Sequence, residues 1–597
     1  MKNSLLLIIT VLIISCTSHP TIYNDGFITY APINLTDAEK QIIRESVERQ
    51  NDRYDPDGKM LTSVLRGWNY HTDAESGTFH QIRGSFSYAV NLLDLGDPQY
   101  RQRAFDVLEK TISLQDTDPG SKSYGVWPYY EEEPLAVKKS PIDYNWADFN
   151  AVSLLDVYMY HKEIIPADLL KKIENALILA GRSVQKRNVK MDYTNIAIMG
   201  TYATYMVSHL FDIPDLKEYA NERLQRLYNH TLEKNGFSEY NSPTYTITAL
   251  DELARMKRHI VKPDARKIID ALYTIAWETI ATHYHKPSAQ WAGPHSRSYS
   301  TLLGQSVYGI LNSASNGKIN NGYKDERPDV KIKHQIPEHL LSYFLTPVYP
   351  RIQRDVFENV DPQIIGTCYL TDRYALSSTS LSNMWNQRRP FLAYWGTPEK
   401  PSYLQARLLK DFYDLSTATW FSEQKNNAVF AAINFATDGG DKHLYLDAFK
   451  EGKFSAKDLR LRFEFGNTDV SKLKLPLKND APVSFEIDGL QFNICLYHGV
   501  FSKYKGYWEK GSNNQIAWID FVLYSGEETE INLKAIDHAA LGFSFCLGAA
   551  GESCPNERVK YNVGNGVLNA EWNGMKVNVP VKPDKKPRHV NVEHPVI

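Results

Sequence analysis

The stretch PADLLKKIENALILAGRSVQKR, residues 166–187, decides the fold class of the first half of the chain. Its apolar residues recur at intervals of three and four, which is the period of an amphipathic helix with one buried face. The segment YTNIAIMGTYATYMVSHLF, residues 193–211, has the same period and is dominated by apolar and small residues. Such patterns extend from about residue 34 to 345 and predict about nine helices before Gln290.

Short connections between these helices alternate with long, aromatic-rich ones. The long kind includes DTDPGSKSYGVWPYYEEEPLAVKKSPIDYNW, residues 116–146, and NGFSEYNSPTY, residues 235–245. Antiparallel helix pairs that are elaborated at one end favour an α/α toroid, either incomplete or with six pairs, whose long loops gather around a cleft. The alternative is an irregular all-α domain.

After about Pro347 the hydrophobic period changes to two. The segments LRLRFEFG, IAWIDFVLYSG and MKVNVPVK alternate or carry β-branched and aromatic residues, and turn sequences such as DGGD and SGEE separate them. Many short strands at this spacing predict an antiparallel β-sandwich. We therefore expect two domains, a helical one at residues 17–345 and a β-sandwich at residues 346–597.

The N-terminus predicts export. Lys2 precedes an apolar run of about ten residues that is too short to span a bilayer, and the run ends in IISC at Cys16. This ending resembles the lipobox of bacterial lipoproteins, which implies a signal peptide at residues 1–16, lipidation of Cys16 and an anchor in the outer or inner membrane. An ordinary secreted protein with a chance cysteine is the alternative. We expect the protein in the cell envelope, on the outer-membrane surface or in the periplasm.

Composition excludes some functions and favours others. The net charge is −3 and no basic recognition motif is present, so nucleic acid is not expected as a partner. The 37 Tyr and 11 Trp residues suit sugar rings, which present an apolar face, although a large protein can also use tyrosine in its core. Cys546 and Cys554 could form a disulfide or remain buried thiols. No cofactor or metal motif is present.

Two clusters of polar and aromatic residues lie in the first part of the helical region. GTFHQIRGSFSY contains His80 and Arg83, three residues apart and so on one face of a helix. Asn195 opens an apolar helix, where a capping role is the simple alternative. Trp146 ends the longest aromatic-rich loop and is expected to bind substrate.

Two further clusters follow in the chain. NGFSEYNSPTY contains Tyr240, Asn241 and Tyr245, and QWAGPHSRSY, residues 290–299, contains a ring, an imidazole, a guanidinium and a phenol in ten residues. These last four groups are Trp291, His295, Arg297 and Tyr299. All four clusters fall at helix ends or loops, where a toroid places its cleft, although turn chemistry and ion pairing are alternatives for each.

This residue set suits removal of a proton α to a uronate carboxylate, with loss of the group at the β position. Arginine, histidine and asparagine can neutralise the carboxylate and stabilise the developing enolate. A tyrosine whose pKa is lowered by cationic neighbours can take the C5 proton and then protonate the leaving O4. A glycosidase would need two carboxylates, for which Glu239 and Asp148 are candidates, but neither is flanked as a general acid would be.

The clusters and the domain order resemble the toroid-type polysaccharide lyases, which commonly use an Asn, a His, one or two Tyr and an Arg. The order Asn195, Tyr240, Tyr245, Arg297 is similar across the helical region. The chain looks closest to the Bacteroides L-rhamnose-α-1,4-D-glucuronate lyases, which remove rhamnose from arabinogalactan. One departure is that chondroitin-type lyases carry a His where this chain has Tyr240, so the resemblance implies that His80 or His295 supplies it.

The resemblance implies a role for each residue. Arg297 and Asn195 bind the uronate carboxylate, helped by His80 or Arg83. Tyr245 acts as base and acid, and His295 orients or deprotonates it. The remaining expected substrate-binding residues are Tyr240, Asn241, Trp146, Trp291 and Tyr299, of which Tyr240 and Trp291 stack against the sugar. The implied partner is a uronate-containing plant polysaccharide.

Two other functions stay open from the sequence. One is a glycoside hydrolase on a similar toroid, and the other is a non-catalytic surface lipoprotein that binds glycans. The sequence does not fix the glycan, exo or endo action, or the oligomeric state.

Overall fold

A computed structural model describes most of the chain. The described residues are 23–24, 26–30, 34–67, 69, 71–359, 361–439, 449, 451–468, 475 and 481–585. The predicted signal peptide, residues 1–16, and the predicted lipidation site Cys16 lie outside them. No helix among the described residues is long and apolar enough to cross a membrane.

Eleven α-helices occupy the described part of the chain up to Leu345, and nine of them end before Gln290, as the periodicity predicts. Their bounds are α1 Asp37–Asn51, α2 Ile82–Leu95, α3 Pro98–Ile112, α4 Asn145–His161, α5 Ala167–Arg187, α6 Thr194–Leu210, α7 Pro214–Glu233, α8 Tyr245–His259, α9 Pro263–His283, α10 Gln305–Ala314 and α11 Leu341–Leu345. Short 3-10 helices span Lys162–Ile164, Glu338–Leu340 and Leu533–Ala535.

Eight of these helices form four consecutive pairs in two layers. The partners within a pair, α2 with α3, α4 with α5, α6 with α7 and α8 with α9, are joined by short connections and pack side by side. The even-numbered helices also pack on one another in sequence, as do the odd-numbered ones. The even-numbered helices form the inner layer, since α6 is buried along almost its entire length.

The inner helices all begin at the same end of this double layer. A short connection makes each pair antiparallel, so the longer links that join successive pairs lie at the opposite end from these turns. The longer links comprise residues 113–144, 188–193 and 234–244. The predicted gathering of long loops is therefore present, and it brings the N-termini of α2, α4, α6 and α8 together.

A buried cluster of charged side chains around Lys331 connects three inner helices. Lys331 lies in the irregular segment between α10 and α11, and its ammonium group contacts Asp94 of α2 and, at 3.7 Å, Asp156 of α4. Arg255 of α8 donates to the same Asp156 at 2.9 Å. Burial opposes the charge on Lys331, but the surrounding aspartates outweigh it and raise its pKa. The segment between residues 313 and 335 is a loop, as predicted, and through Lys331 it connects helices of the inner layer.

The rest of the described chain is almost entirely β-structure. The strands of the N-terminal part are β1 Tyr23–Asn24, β2 Thr29–Tyr30, β3 Tyr54–Asp55, β4 Met60–Leu65, β5 Gly77–His80, β6 Tyr284–His285 and β7 Gln290–Trp291. The C-terminal strands are β8 Arg351–Glu358, β9 Ile364–Leu370, β10 Tyr374–Thr379, β11 Leu381–Asn383, β12 Phe391–Gly396, β13 Pro401–Lys410, β14 Tyr413–Asp414, β15 Ala418–Lys425, β16 Ala428–Phe435, β17 Lys453–Gly466, β18 Val483–Ile487, β19 Leu490–Phe501, β20 Tyr507–Ser512, β21 Ile516–Asn532, β22 Ala539–Ala549, β23 Lys560–Gly564, β24 Val567–Trp572 and β25 Met575–Pro580.

Two antiparallel sheets pack face to face in this region. The larger has the order β20-β21-β17-β13-β12-β10-β9-β8, with β14 on β13, and the smaller has the order β11-β15-β16-β22-β19-β18. Their shared core includes Leu461 and Phe521 from the larger sheet and Trp420 and Phe543 from the smaller. A third sheet, β23-β24-β25, packs on β15 and β16. The structure thus contains the predicted antiparallel sandwich.

Three local details complete the comparison with the sequence. The last helix ends at Leu345 and β8 begins at Arg351, on either side of the expected domain boundary. Cys546 and Cys554 form a disulfide, which resolves the alternative left open above. His80 ends strand β5 rather than sharing a helix face with Arg83, and Asn195 lies inside the first turn of α6, where Tyr193 is the N-cap.

Candidate active site

Arg297 is the centre of the candidate site. Its guanidinium donates to the Tyr245 hydroxyl at 2.8 Å, to Oε1 of Glu239 at 3.2 Å and to Oε1 of Gln387 at 2.7 Å. It also lies over two aromatic rings, with 4.5 Å to the Tyr245 centroid and 4.8 Å to that of Trp385. Burial lowers the pKa of Arg297, but Tyr245 and Glu239 outweigh that effect and raise it. The site therefore holds a fixed, buried positive charge.

The segment 290–299 is held between the two halves of the molecule. The backbone of His295 exchanges two hydrogen bonds with Arg389, and Ser298 N donates to the Gln387 carbonyl at 2.7 Å. Gly293 packs so closely on the sandwich that an added Cβ would lie 2.9 Å from Ser377 Oγ. The arginine is thus aimed by a strand-like pairing with residues 387–389, which lie in the loop before β12.

Tyr245 forms a phenol pair with Tyr299. The two hydroxyl oxygens are 2.8 Å apart, and Tyr299 is 63% exposed, so the pair leads from the buried arginine to solvent. Because Arg297 donates to the Tyr245 oxygen, the Tyr245 hydroxyl hydrogen is free to point at Tyr299. The expected lowering of the Tyr245 pKa is wrong: burial raises it, and the charge of Arg297 only partly offsets that rise.

Glu239 joins Arg297 to the start of α6. Besides the arginine it accepts a long hydrogen bond, 3.5 Å, from the backbone N–H of Asn195. A helix N-terminus favours an anion there, yet burial raises the pKa of Glu239 to about 7. Asn195 itself is 4% exposed, and its Oδ1 has no hydrogen-bond partner among the described residues. Asn195 and Arg297 therefore both contact the Glu239 carboxyl group, which lies between them.

His295 does not make its expected contact with Tyr245. Its Nδ1 lies 2.7 Å from the Asn241 carbonyl, which fixes Nδ1 as the protonated nitrogen, and Nε2 is buried without a partner among the described residues. Burial lowers its pKa to about 3, so the ring is neutral. Tyr299 stands next to the Tyr245 hydroxyl instead.

Trp291, Tyr240 and Asn241 are structural residues, contrary to the expected substrate contacts. The Trp291 ring is 1% exposed, and its Nε1 donates to Asn241 Oδ1 at 2.5 Å. Tyr240 is 8% exposed, with its ring stacked 3.8 Å from that of Phe357. Asn241 Nδ2 donates to two carbonyls of the 290–299 segment, so these three side chains hold that segment in place.

His80 is occupied by two carboxylates and contacts none of the residues around Arg297. Its Nε2 lies 2.9 Å from Asp55 and its Nδ1 lies 2.6 Å from Glu132. Partial burial lowers the pKa of His80, but the hydrogen bonds to Asp55 and Glu132 outweigh that effect and raise it. The structure thus places His80 in a triad with Asp55 and Glu132, and its catalytic role stays a prediction.

Arg83 and Trp146 form a second group at the starts of α2 and α4. The Arg83 guanidinium lies 3.8 Å from the Phe149 centroid and 5.9 Å from that of Trp146. Arg83 is exposed, yet desolvation lowers its pKa while Glu252 of α8 partly offsets this. Because Arg83 of α2 is close enough to Glu252 of α8 for their charges to interact, Arg83 lies on the side of α2 that faces the other inner helices.

Tyr193 lies between the two groups. Its hydroxyl accepts a hydrogen bond from Asn145 at 3.1 Å, and Asn145 follows Asp143, whose carboxylate accepts from the Asn145 backbone. Burial raises the pKa of Tyr193, with further contributions from Glu239 and Asp143. Tyr193 therefore lies close to Asp143, just before the start of α4, and to Glu239, which contacts Arg297.

Sequence reasoning missed the contribution of the β-region. Trp385 and Gln387 contact Arg297, and they belong to MWNQRRP, residues 384–390, between β11 and β12. This stretch has the same aromatic, amide and guanidinium composition as the clusters of the helical half. It would have been found by applying the same criterion beyond residue 345. No group of three potential metal ligands occurs among the described residues.

Comparison with known proteins gives only distant similarities. A family model described as a domain of unknown function, DUF8769, matches residues 40–334. No curated protein matches the sequence.

Among solved structures the chain is similar to heparinase III, with 9% identity, 92% of each chain covered and a TM-score of 0.43. It is also similar to the Streptomyces coelicolor A3 chondroitin AC lyase in complex with chondroitin sulphate, with 10% identity, 90% of this chain and 85% of that chain covered, and a TM-score of 0.45. The endoglucanase CelQ from Clostridium thermocellum gives 10% identity and a TM-score of 0.23, with 80% and 72% covered. These similarities are too distant to assign an activity, which must be inferred from the site.

Proposed function

We propose that the protein is a polysaccharide lyase that cleaves the bond at O4 of a uronate by β-elimination. The observation that supports this most is that one buried guanidinium, Arg297, contacts the phenol of Tyr245 beside the solvent-exposed phenol of Tyr299. A fixed cation can neutralise the uronate carboxylate and stabilise the enolate that forms when C5 loses its proton. A phenol next to that cation is suited to carry the proton.

The reaction begins with ionisation of the phenol pair. In the resting site burial keeps Tyr245 protonated. Its proton passes to Tyr299 and on to solvent, and Arg297 stabilises the resulting phenolate. This gives Tyr299 a role as proton outlet, a role that the sequence did not predict for it.

The phenolate of Tyr245 then takes the C5 proton of the uronate. The electrons of the C5–H bond move into the uronate carboxylate, which Arg297 and the side-chain amide of Asn195 bind. They return to form the C4–C5 double bond as the C4–O4 bond breaks. Tyr245 gives its proton to O4 of the leaving sugar, so the phenolate is regenerated and no water is consumed. A single residue serves both steps when the hydrogen and O4 leave from the same face.

The substrate we propose is a glucuronate capped by rhamnose, on arabinogalactan side chains such as those of gum arabic, with exo-acting removal of the rhamnose. This rests on the resemblance of the sequence clusters in an α/α toroid followed by a β-sandwich. Arg83 and Trp146 are proposed to contact the sugars beyond the cleavage point, since they lie in the first turns of α2 and α4, at the end of the inner layer where Asn195 and Tyr245 lie at the starts of α6 and α8. The protein is further proposed to act as a lipoprotein anchored through Cys16 at the cell envelope.

The test is incubation of the purified protein with gum arabic, and with heparan and chondroitin sulphates as other uronate polymers. A lyase produces an unsaturated uronate, which absorbs in the ultraviolet and is lighter by one water than the product of hydrolysis. Tyr245→Phe should abolish this product while the variant still binds the polymer. A saturated product, or no product from any of the three polymers, would rule out the proposed elimination.

A glycoside hydrolase is the second candidate because Glu239 has a raised pKa of about 7, which is suited to a general acid. Its expected partner, Asp148, is 1% exposed and lies 3.8 Å from Arg187, so it is buried in an ion pair. Hydrolysis also requires a carboxylate that can reach water or the sugar. We therefore favour elimination, and the same product analysis separates the two reactions.

A further inference from the structure

A strip of aromatic side chains covers part of the outer face of the larger sheet. Phe412 is 61% exposed, Tyr507 is 50% exposed, and Trp518 is half-buried. Tyr507 pairs with Val522, which in turn pairs with Arg460, and Trp518 lies four residues before Val522 on the same strand. Tyr507 and Trp518 therefore lie on the sheet face of Arg460. We call Phe412, Tyr507 and Trp518 the sheet platform.

Two rings of the sheet platform, those of Phe412 and Trp518, stack on arginine side chains. The Arg460 guanidinium lies 4.7 Å from the Phe412 centroid, and that of Arg462 lies 4.3 Å from the Trp518 centroid. Both arginines are almost fully buried and are paired with acidic side chains of β17, β20 and β21. These acidic residues are Asp458, Glu509 and Asp520. Since the charges below are compensated, the exposed rings rather than net charge define what the surface can bind.

Two backbone features suit a contact surface. Gly511 lies opposite Trp518, where a Cβ would come within 2.6 Å of the indole, so glycine lets the ring lie flat on the next strand. Phe412 has a φ of 66° at the tip of the β13–β14 hairpin, a conformation unfavourable for a bulky residue. Asp411 also has a positive φ, as a two-residue hairpin turn requires, and this turn holds the Phe412 ring at its tip.

The platform is continuous with the candidate active site. Tyr413, next to Phe412, accepts a hydrogen bond from Asn386 at 2.7 Å. The following residue, Gln387, accepts from Arg297. Contacts through Gln387, Asn386 and Tyr413 therefore connect Arg297 of the candidate site to the hairpin that carries Phe412.

We propose that the sheet platform binds the polysaccharide chain outside the cleft, by stacking sugar faces on Phe412, Tyr507 and Trp518. This rests on the proposed function and extends it, because the substrate must then be a polymer that continues well beyond the cleaved bond. Sugar rings offer flat apolar faces to exposed aromatic rings, and their hydroxyls suit the charged rim. The platform contributes affinity for the polymer and takes no part in the elimination itself.

The test compares the Phe412→Ala/Tyr507→Ala double variant with wild type. Two stacking contacts correspond to about a tenfold change in affinity. We expect retardation in a gel containing gum arabic to be lost and KM for gum arabic to rise about tenfold. The kcat/KM for a rhamnosyl-glucuronate disaccharide should stay unchanged. Tyr561→Ala, which removes a ring 41% exposed on the third sheet, is the matched control and should behave as wild type.

Three outcomes would overturn the proposal that the sheet platform binds polysaccharide. The double variant could be retarded as strongly as wild type, wild type could fail to be retarded at all, or the variant could lose activity equally on the disaccharide. Failure of the proposed function is visible separately, because wild type would then yield no unsaturated product, while the gel would still compare binding by the two proteins. Trp518→Ala alone tests the third ring and should reduce retardation relative to wild type.

Discussion

Arg297 donates from Nη2 to the hydroxyl oxygen of Tyr245 at 2.8 Å, and the same guanidinium lies 4.5 Å from the centroid of the Tyr245 ring. The arginine therefore fixes both the position of the phenol and the direction of its proton. That proton can point only away from the guanidinium, where Tyr299 lies at 2.8 Å. The relationship gives the three residues separate, testable functions.

Replacing Arg297 with lysine should reduce kcat/KM by about 10²–10³-fold, the usual effect of removing one donor to a developing oxyanion. Lysine keeps the charge but cannot donate to Tyr245, Glu239 and Gln387 in one plane. The measurement is the initial rate of double-bond formation on gum arabic, with thermal unfolding to verify the fold.

Arg226→Lys is the matched control for this change. Arg226 lies 5.8 Å from the Tyr219 centroid on α7 and is exposed, so it shares the arginine–tyrosine geometry outside the site. It should retain full activity. Equal activity of the Arg297→Lys variant and wild type would remove Arg297 from the reaction.

Tyr245→Phe and Tyr299→Phe should differ in degree. Without the Tyr245 hydroxyl the C5 proton has no acceptor, and activity should fall by at least about 10³-fold. Without the Tyr299 hydroxyl only the proton outlet is lost, and a fall of about 10–10²-fold is expected, within the range for assisted proton transfer.

The pH profile distinguishes the two roles. Because the pKa of Tyr245 is raised, kcat/KM of wild type should keep rising from neutral to alkaline pH, as more of the phenol ionises. Tyr299→Phe should lower the rate without removing this rise. A profile that is flat across the alkaline range would argue against a tyrosine base.

Much of the fold could be predicted from local sequence patterns, because period and turn chemistry are local properties. The segment at residues 166–187 became α5 and LRLRFEFG became part of β17. Side-chain partners depend on distant parts of the chain, and these were missed. His295 contacts Asn241 rather than Tyr245, and Trp291, which resembled a sugar platform, lies in the core. The sequence alone does not distinguish an exposed aromatic residue from a buried one.

The candidate site was found only in part for the same reason. Arg297 and Tyr245 come from neighbouring clusters of the helical half and could be paired by composition. Gln387, which fixes the arginine, comes from the β-region about ninety residues later in the chain, as its hydrogen bond to Arg297 shows. The pairing of residue 295 with 389 that brings it there is a contact between domains, and no periodicity predicts it.

Glu239→Gln should make substrate affinity independent of pH near neutrality. Glu239 is 3.2 Å from Arg297 and its pKa is raised to about 7, so it gains negative charge as pH rises through 7. That charge competes with the uronate for Arg297. KM of wild type should therefore rise between about pH 6 and 8, and KM of the glutamine variant should stay constant.

The same group affects stability with a defined sign. The pKa of Glu239 is about 7 in the folded protein and 4.5 for an unperturbed glutamate, as in the unfolded chain. Between pH 4.5 and 7 the folded state therefore binds more protons than the unfolded state. Stability from this group is thus present at low pH and lost as pH rises from about 4.5 to 7. Glu239→Gln should unfold with a shallower pH dependence in this window. An unchanged slope, with unchanged KM behaviour, would show that Glu239 ionises normally.

Lys331→Met should destabilise the helical region by about 3–5 kcal/mol, the usual cost of removing one partner from a buried ion pair. Lys331 is buried between Asp94 and Asp156, and its loss leaves Asp94 paired with His161 and Asp156 paired with Arg255, each beside an apolar side chain. The pKa of Asp94 is lowered in the native protein, with Lys331 the main cause that overcomes burial, so this aspartate should become easier to protonate in the variant. The destabilisation should therefore shrink as pH falls.

Urea unfolding at pH 7 and pH 5 measures both effects. The control is Lys333→Met, two residues away with a side chain that is 65% exposed, which should cost less than about 1 kcal/mol. Equal midpoints for the two methionine variants would show that the buried lysine does not fasten the inner helices.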